Sequence, residues 1–196
     1  MKPPVQGVAW PVPEGVGARP ENPVHYRLRL ATEADAAWQL AIYAGTRADE
    51  MAMTGWPREQ CEQFVAMQHR AQQQHYALHF PHSVCQLFVV DDEVAGRLWL
   101  DERADRLHIL DIALLPAWRG RGIGTQCLQA LAREAAAQGP PGSPGRALSI
   151  QVEIHNPAWR LYERLGFVAD GAPQGLYQAM LKPAPVRHPQ PEECLP

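Results

Sequence analysis

The stretch that most limits what this chain can become is "RLHILDIALLPAWRGRGIGTQCLQALAREAAAQG". Its first ten residues are mostly apolar and read as a strand. Pro116 ends that strand, because it cannot donate to a ladder. The next run, "RGRGIGTQ" at 119–126, holds three glycines and two arginines. Glycine loses more backbone freedom on ordering than any other residue, so this density needs a reason. From Ile123 onward, Cys127, Ala130 and Leu131 share one face at helical spacing. Strand, glycine turn and helix start, in that order, bring bare amides and the positive end of a helix dipole together, which makes an anion site. Side chains would block a phosphate from those amides, so Gly120, Gly122 and Gly124 have a reason to be bare, and Arg119 and Arg121 add charge. A P-loop would need a Lys-Ser or Lys-Thr pair, and none follows. A dinucleotide fingerprint needs G-x-G-x-x-G, and here the third glycine falls one residue early. What remains is R-x-x-G-x-G, from Arg119 to Gly124.

The rest of the chain supplies the setting. "HYRLRLAT" alternates Tyr26, Leu28 and Leu30 with polar neighbours and reads as a strand. Thr32 is the expected N-cap of a helix over "EADAAWQLAIYAGT", and "TRADEMAMTG" reads as a loop. Pro57 is expected to open a second helix, or a broken pair, through "WPREQCEQFVAMQHRAQQQHYALHF". "CQLFVV" and "VAGRLWLDE" form a hairpin by spacing, with the strand at 106–115 after them. "GPPGSPG" is a loop, "ALSIQVEI" a strand, "NPAWRLYERLG" a short helix and "GLYQAMLK" a last strand. The order β-α-α-β-β-β-α-β-α-β implies a mixed α/β sheet rather than a doubly wound one.

Residues 1–24 contain six prolines and no periodic apolar pattern, and read as a loose arm. The tail at 184–196 is of the same kind, which leaves 25–183 as a single domain. The 46% hydrophobic and 20% charged content suits one globular core. A net charge of −3 gives no electrostatic case for nucleic acid or an anionic membrane, and the apolar runs are too short to span a bilayer. No secretory pattern follows Met1. Cys61, Cys85, Cys127 and Cys194 lack paired spacing and read as reduced thiols of a cytoplasmic protein.

A second motif, "SIQVEIHNPAWRLYERLGF", completes the pattern. Asn156 is a good N-cap and Pro157 a good first helical residue. Ala158, Leu161, Tyr162 and Leu165 form one stripe, and Gly166 offers a left-handed stop. A phenol in such a stripe needs a partner for its hydroxyl. "LLPAWRGRGIGTQCLQAL" resembles the acyl-CoA pyrophosphate loop and helix of the GNAT superfamily of N-acyltransferases. "SIQVEIHNPAWRLYERLGF" resembles that family's second motif through Asn156, Ala158, Tyr162, Gly166 and Phe167, and "YRLRLATEADAAW" is similar to its opening strand and helix. The resemblance spans roughly residues 26–182. It implies a mixed, predominantly antiparallel sheet flanked by helices, with acetyl-CoA as cosubstrate and a primary amine of a small molecule or peptide as acceptor. It implies that Arg119, Gly120, Arg121, Gly122, Ile123, Gly124 and Thr125 hold the pyrophosphate. The backbone of Ala113, Leu114 and Leu115 would line the pantetheine and offer an amide to the thioester carbonyl. Asn156 would bond the pantetheine arm or its neighbourhood, and Tyr162 would protonate the leaving sulfur. A silent coenzyme A-binding module of the same fold is the alternative.

Three tasks arise in such a transfer: deprotonate the incoming ammonium, hold the oxyanion and protonate the thiolate. Asp111 lies inside "ILDIALL", where an unpaired carboxylate would be expensive. It is a candidate base, or it caps or pairs with an arginine. Glu153 and His108 are further candidates for a proton relay, and His155 reads as a loop residue. No metal is expected: His75 and His79, near His69 and His82, lack a third ligand and any H-E-x-x-H pattern, and read as surface histidines. The glutamines from Gln68 to Gln74 read as a solvated face. Trp56 is a candidate for the acceptor pocket, and Asp49 and Glu50 are a slight hint of a cationic acceptor. A homodimer is left open, as is the acceptor's identity.

Overall fold

A computed structural model describes residues 24–138 and 145–184. Most of the arm at 1–24, of the proline-rich loop at 139–145 and of the tail at 184–196 therefore lies outside the described residues. Val24, at the edge of the expected arm, is buried.

The strands are β1 (Arg27–Leu30), β2 (Val84–Val90), β3 (Glu93–Glu102), β4 (Arg106–Leu114), β5 (Ala147–Glu153), β6 (Val168–Ala169) and β7 (Tyr177–Lys182). The helices are α1 (Ala36–Thr54), α2 (Arg58–His79), α3 (Ile123–Ala137) and α4 (Trp159–Arg164), with short 3-10 turns at Glu33–Asp35 and Pro116–Trp118. The seven strands run in the order β1-β2-β3-β4-β5-β7-β6. Antiparallel pairing joins β1 to β2, β2 to β3, β5 to β7 and β6 to β7, while β4 and β5 are parallel. The fold is the mixed, mostly antiparallel α/β sheet that the element order implies.

The chain divides into two compact units. The first comprises the described residues up to Asp101 together with Asp111–Gly124. Its strands β2 and β3 carry near-continuous buried runs, Leu87–Val90 and Val94–Leu98. Such runs mark strands covered on both faces. Arg97 interrupts the second run, yet is itself 1% exposed. The expected alternation of β1 fades at its end, where Leu30 is exposed.

One helix of this unit, α1, departs from the sequence expectation at both ends. Thr32 leads into the 3-10 turn rather than into α1, and the Asp35 carboxylate accepts its N–H at 2.8 Å and its hydroxyl at 3.0 Å. The expected loop at 46–54 is helical, because α1 continues to Thr54 and stops at Gly55 with φ +69°. Gly45, near the end of the expected helix, sits buried at mid-helix. A Cβ there would stand 3.4 Å from the Pro116 ring, an ordinary contact distance. The extra helical turns bring Met51 into a cluster with Tyr43, Ala44, Cys61 and Val65. In α2, Cys61, Val65 and His69 recur every fourth residue and are all buried.

The second unit comprises Glu102–Leu110 and the described residues from Thr125 onward. Here β4 and β5 pair from Arg106↔Ala147 to Ile109↔Ile150. In α3 the buried positions are Ile123, Cys127, Leu128, Leu131 and Ala135. Ala130, expected on that face, is exposed, and Leu128 takes its place. β6 was not legible as a strand: it has two residues and both are exposed.

Candidate active site

In the first unit, β4 delivers the chain into the glycine loop. Ala113 and Leu115 are buried and Leu114 is half-buried. The Leu115 N–H bonds the Ala95 carbonyl at 2.9 Å. Gly96, on β3, is bare for a steric reason: a Cβ there would stand 2.3 Å from the Ala113 carbonyl oxygen and 2.9 Å from the Leu114 Cα. β3 thus lies against the backbone of Ala113 and Leu114 more tightly than any side chain allows.

Beyond Pro116 the loop is tied down by its own arginines. The Arg119 Nε donates to the Leu114 carbonyl and its Nη2 to the Gly45 carbonyl, each at 2.9 Å. This guanidinium therefore joins the end of β4 to α1, a role that the sequence expectation of an anion contact did not include. Arg121 lies with its Cζ 4.6 Å from the centre of the Trp118 ring, a cation–π contact that fixes the loop over a buried indole. Gly120 and Gly122 are exposed and take φ +72° and +82°, a conformation that favours glycine. Gly124 is different. It lies inside α3 without a left-handed φ, and a Cβ there would meet no protein atom within 4 Å. Neither backbone strain nor crowding explains its bareness. Ile123 is fully buried, so only its backbone can serve a ligand; Thr125 is half-buried.

Asp111 is not a lone carboxylate. Its Oδ2 accepts from Arg97 Nε at 2.5 Å, and its side chain is 20% exposed against 1% for Arg97. Arg97 Nη2 donates to Gln72 Oε1 at 2.8 Å, and Nη1 lies 3.4 Å from His69 Nε2 and 3.5 Å from the Gln39 carbonyl. Burial, reinforced by the Arg97 charge, pushes the His69 imidazole down to about 4. Its ring is therefore neutral at physiological pH, and Nε2 can accept from Arg97 when the proton sits on Nδ1. Burial likewise pushes the Cys85 thiol up to about 11, so it stays protonated.

This cluster corrects two expectations. His69 is a core residue, not a surface histidine. The glutamines of α2 do not form a solvated face throughout: Gln72 meets Arg97, Gln73 meets Gln39, and Gln68 meets the Tyr43 hydroxyl. The legible signal was a pair of lone opposite charges inside two consecutive apolar strands, "VAGRLWL" and "ILDIALL". His75 and His79 lie with ring centres 4.4 Å apart and planes tilted by 41°, and among the described residues no group of three or more His, Cys, Asp or Glu could hold a metal ion. Trp56 is 40% exposed and meets Phe64 edge-on at 5.4 Å, while Glu50 pairs with Arg47 at 2.7 Å.

In the second unit, Asn156 leads into α4. Its Oδ1 accepts the Ala158 N–H at 2.8 Å and its carbonyl accepts the Trp159 N–H at 2.9 Å. The helix therefore begins two residues later than the expected start at Pro157, but Asn156 still supplies the entry bonds. Tyr162 is 4% exposed. The end of α4 explains its placement. Gly166, at φ +85°, donates to the Glu163 carbonyl at 2.9 Å, and Phe167 N–H donates to the Tyr162 carbonyl at 3.0 Å. This is a Schellman stop, and its usual apolar contact is the edge-on packing of Phe167 against the Tyr162 ring, 5.6 Å between centres. Lys182 Nζ bonds the Leu165 carbonyl, where the helix dipole favours a cation. The two further relay candidates are engaged: His108 Nδ1 lies 2.9 Å from Ser149 Oγ, and Glu153 accepts from the Tyr177 hydroxyl at 3.1 Å.

A profile of the Acetyltransferase (GNAT) family matches residues 46–167, well over half of the chain. The chain belongs to the GNAT acetyltransferase family. No curated protein matches it. Solved structures share the fold at low identity. The PaiA N-acetyltransferase of Thermoplasma acidophilum, in complex with coenzyme A, is 12% identical with a TM-score of 0.58, covering 81% of this chain and 99% of that one. An acetyltransferase from Thermus thermophilus is 21% identical with a TM-score of 0.53, covering 82% and 98%. A GNAT-family acetyltransferase from Streptococcus pneumoniae is 20% identical with a TM-score of 0.51, covering 82% and 100%. No helix among the described residues is long and apolar enough to cross a membrane.

Proposed function

We propose that this chain transfers an acetyl group from acetyl-CoA to a primary amine of a small molecule or peptide, by direct attack within a ternary complex. The observation that carries this reading is Gly124. A helical glycine that neither strain nor packing requires is disfavoured by about 1 kcal/mol relative to alanine. Space reserved at the N-terminal turn of a helix, after two exposed left-handed glycines, fits a phosphate-bearing ligand. The complex of the PaiA enzyme with coenzyme A, a protein of similar fold, supports the same class of ligand.

In this reading the amides of residues 120–125 hold the pyrophosphate, with Arg121 adding charge, while the Arg119 N–H is bonded to the Pro116 carbonyl. Acetyl-CoA supplies an activated carbonyl and a thiolate leaving group. Because the Leu115 N–H is already bonded to Ala95, the amide for the developing oxyanion comes from Ala113 or Leu114. The Asn156 Oδ1 is occupied by Ala158, so its Nδ2 donates to the pantetheine arm. Tyr162 Oη delivers the proton to the departing sulfur, as a positioned general acid. Tyr162 is held for this by its place in a Schellman stop rather than by loop residues.

The test is release of free thiol from acetyl-CoA in the presence of a panel of primary amines. Amine-dependent turnover supports the reading. Tight acetyl-CoA binding with no turnover on any amine would replace it with a silent coenzyme A-binding module. Absence of binding would overturn both.

A further inference from the structure

Arg97 poses a question that the acyl-transfer reading does not answer. A guanidinium that is 1% exposed is an expensive thing to keep, and replacing a buried ion pair by apolar residues is often neutral or stabilising. Its contacts suggest what it does. It reaches α1 through the Gln39 carbonyl, α2 through Gln72 and His69, and β4 through Asp111. Three consecutive residues of β3 then act on the segment from Asp111 to Leu115. Ala95 accepts the Leu115 N–H, Gly96 admits the Ala113 carbonyl, and Arg97 holds Asp111. The segment so gripped, from Asp111 on β4 to Leu115 just beyond it, is the one whose backbone offers the oxyanion amide in the proposed reaction.

We propose that Arg97 is a positioning residue for acyl transfer: its ion pair with Asp111 sets the β4 backbone at Ala113 and Leu114, and Asp111 serves that pair instead of acting as the general base. The inference rests on the acetyl-transfer reading. It adds a residue outside the glycine loop and α4 and withdraws Asp111 from proton transfer. The Asp111 Oδ2 is committed to the Arg97 Nε at 2.5 Å, so the carboxylate faces a buried guanidinium rather than an incoming amine. A backbone amide aimed at a developing charge must be held to a fraction of an ångström, which a buried, multiply bonded side chain on the neighbouring strand achieves.

The experiment uses the full chain with acetyl-CoA and the best amine of the panel. It compares wild type, Asp111→Asn, and the double variant Arg97→Met with Asp111→Leu. Melting temperature, acetyl-CoA dissociation constant, kcat, KM and the pH profile of kcat/KM are measured on each. The double variant leaves no charge stranded in the core, so it remains folded with a melting temperature near that of wild type. The expected result is that its kcat nevertheless falls by roughly tenfold or more, with acetyl-CoA affinity little changed. The acidic limb of the pH profile survives in both variants. If kcat recovers together with melting temperature in the double variant, the pair is structural and the proposal is wrong. If Asp111→Asn removes the acidic limb and lowers kcat by roughly two to four orders of magnitude, Asp111 is the base and the proposal is equally wrong. Wild-type protein inactive on every amine would overturn the acetyl-transfer reading, and this inference with it. Active wild type with either contrary pattern would overturn the inference alone.

Discussion

Replacing Gly124 by alanine should move stability and ligand affinity in opposite directions. Gly124 is the second residue of α3, with no left-handed φ and no atom within 4 Å of an added Cβ. Alanine there meets no clash and removes the entropic penalty of glycine. The full helix-interior gain is about 1 kcal/mol, and near the N-terminus about 0.5–1 kcal/mol is expected. For a domain of this size, that gain corresponds to a rise in melting temperature of roughly 1–4 °C. The methyl group occupies the approach of a phosphate to the helix amides, so acetyl-CoA affinity should fall by about tenfold or more, equivalent to about 1.4 kcal/mol. Gly124→Val should lose more affinity and gain no stability, because a β-branched side chain is a poorer helix former. Scanning calorimetry without ligand and titration calorimetry with acetyl-CoA measure the two quantities separately. An alanine variant with unchanged affinity would refute the reasoning, since the space would then be reserved for nothing. A destabilised variant would show that the space is not empty.

Other perturbations follow from the geometry. Gly96→Ala should destabilise by about 3 kcal/mol, because a Cβ 2.3 Å from the Ala113 oxygen forces two strands apart; the urea midpoint reads this directly. Tyr162→Phe should keep the fold and acetyl-CoA affinity while turnover falls by roughly two to four orders of magnitude, least with thioesters that have better leaving groups. Steady-state kinetics with a donor series checks it, and normal turnover on every donor would remove the phenol from the reaction. His69 is held neutral in the fold down to about 4, whereas an unfolded imidazole takes up its proton near 6.5. The unfolded state binds more protons in that window, so stability is lost as pH falls from 6.5 to 4, by about 3 kcal/mol in total. His69→Gln should lack that slope in urea titrations across the window. Asp35 behaves in the same direction at lower pH. Hydrogen bonds from Arg29, then from Thr32, hold its carboxyl well below the usual carboxylate range, so its contribution is complete above about pH 4 and fades below it. Asp35→Asn should flatten the acid limb of stability there.

The strand–loop–helix segment was legible because several independent signals agree at 106–137. Pro116 stops the strand, glycines supply the turn, and the apolar spacing changes period. The helix stop at Gly166 was legible for a similar reason: one glycine followed by an aromatic residue that packs back on the turn. The second half of α1 was not legible, because Gly45 and Thr46 look like punctuation. The residues that pack on this part of α1, Pro116 and Arg119, lie far along the chain. The same holds for the buried cluster. Periodicity marks Gln68 to Gln74 as polar and His69 as unremarkable, and their inward partners lie on β3 and α1. Arg97 could have been inferred from its apolar neighbours, but its link to Asp111 depends on a strand register that spacing alone does not fix.

Gly96 and Gly124 carry the same side chain, yet they should age differently in a lineage that no longer uses the protein. Every single-base change that replaces a glycine codon with another amino acid brings in a Cβ. At Gly96 each such change presses on the Ala113 oxygen and damages the folded chain, so purifying pressure persists for as long as the protein must fold at all. At Gly124 the change to alanine harms nothing in the protein itself and strengthens its helix. Once the ligand ceases to matter, drift at Gly124 runs downhill while Gly96 stays locked. Among diverged copies of this gene, an intact Gly96 beside an alanine at 124 would be the scar of a retired enzyme that still folds.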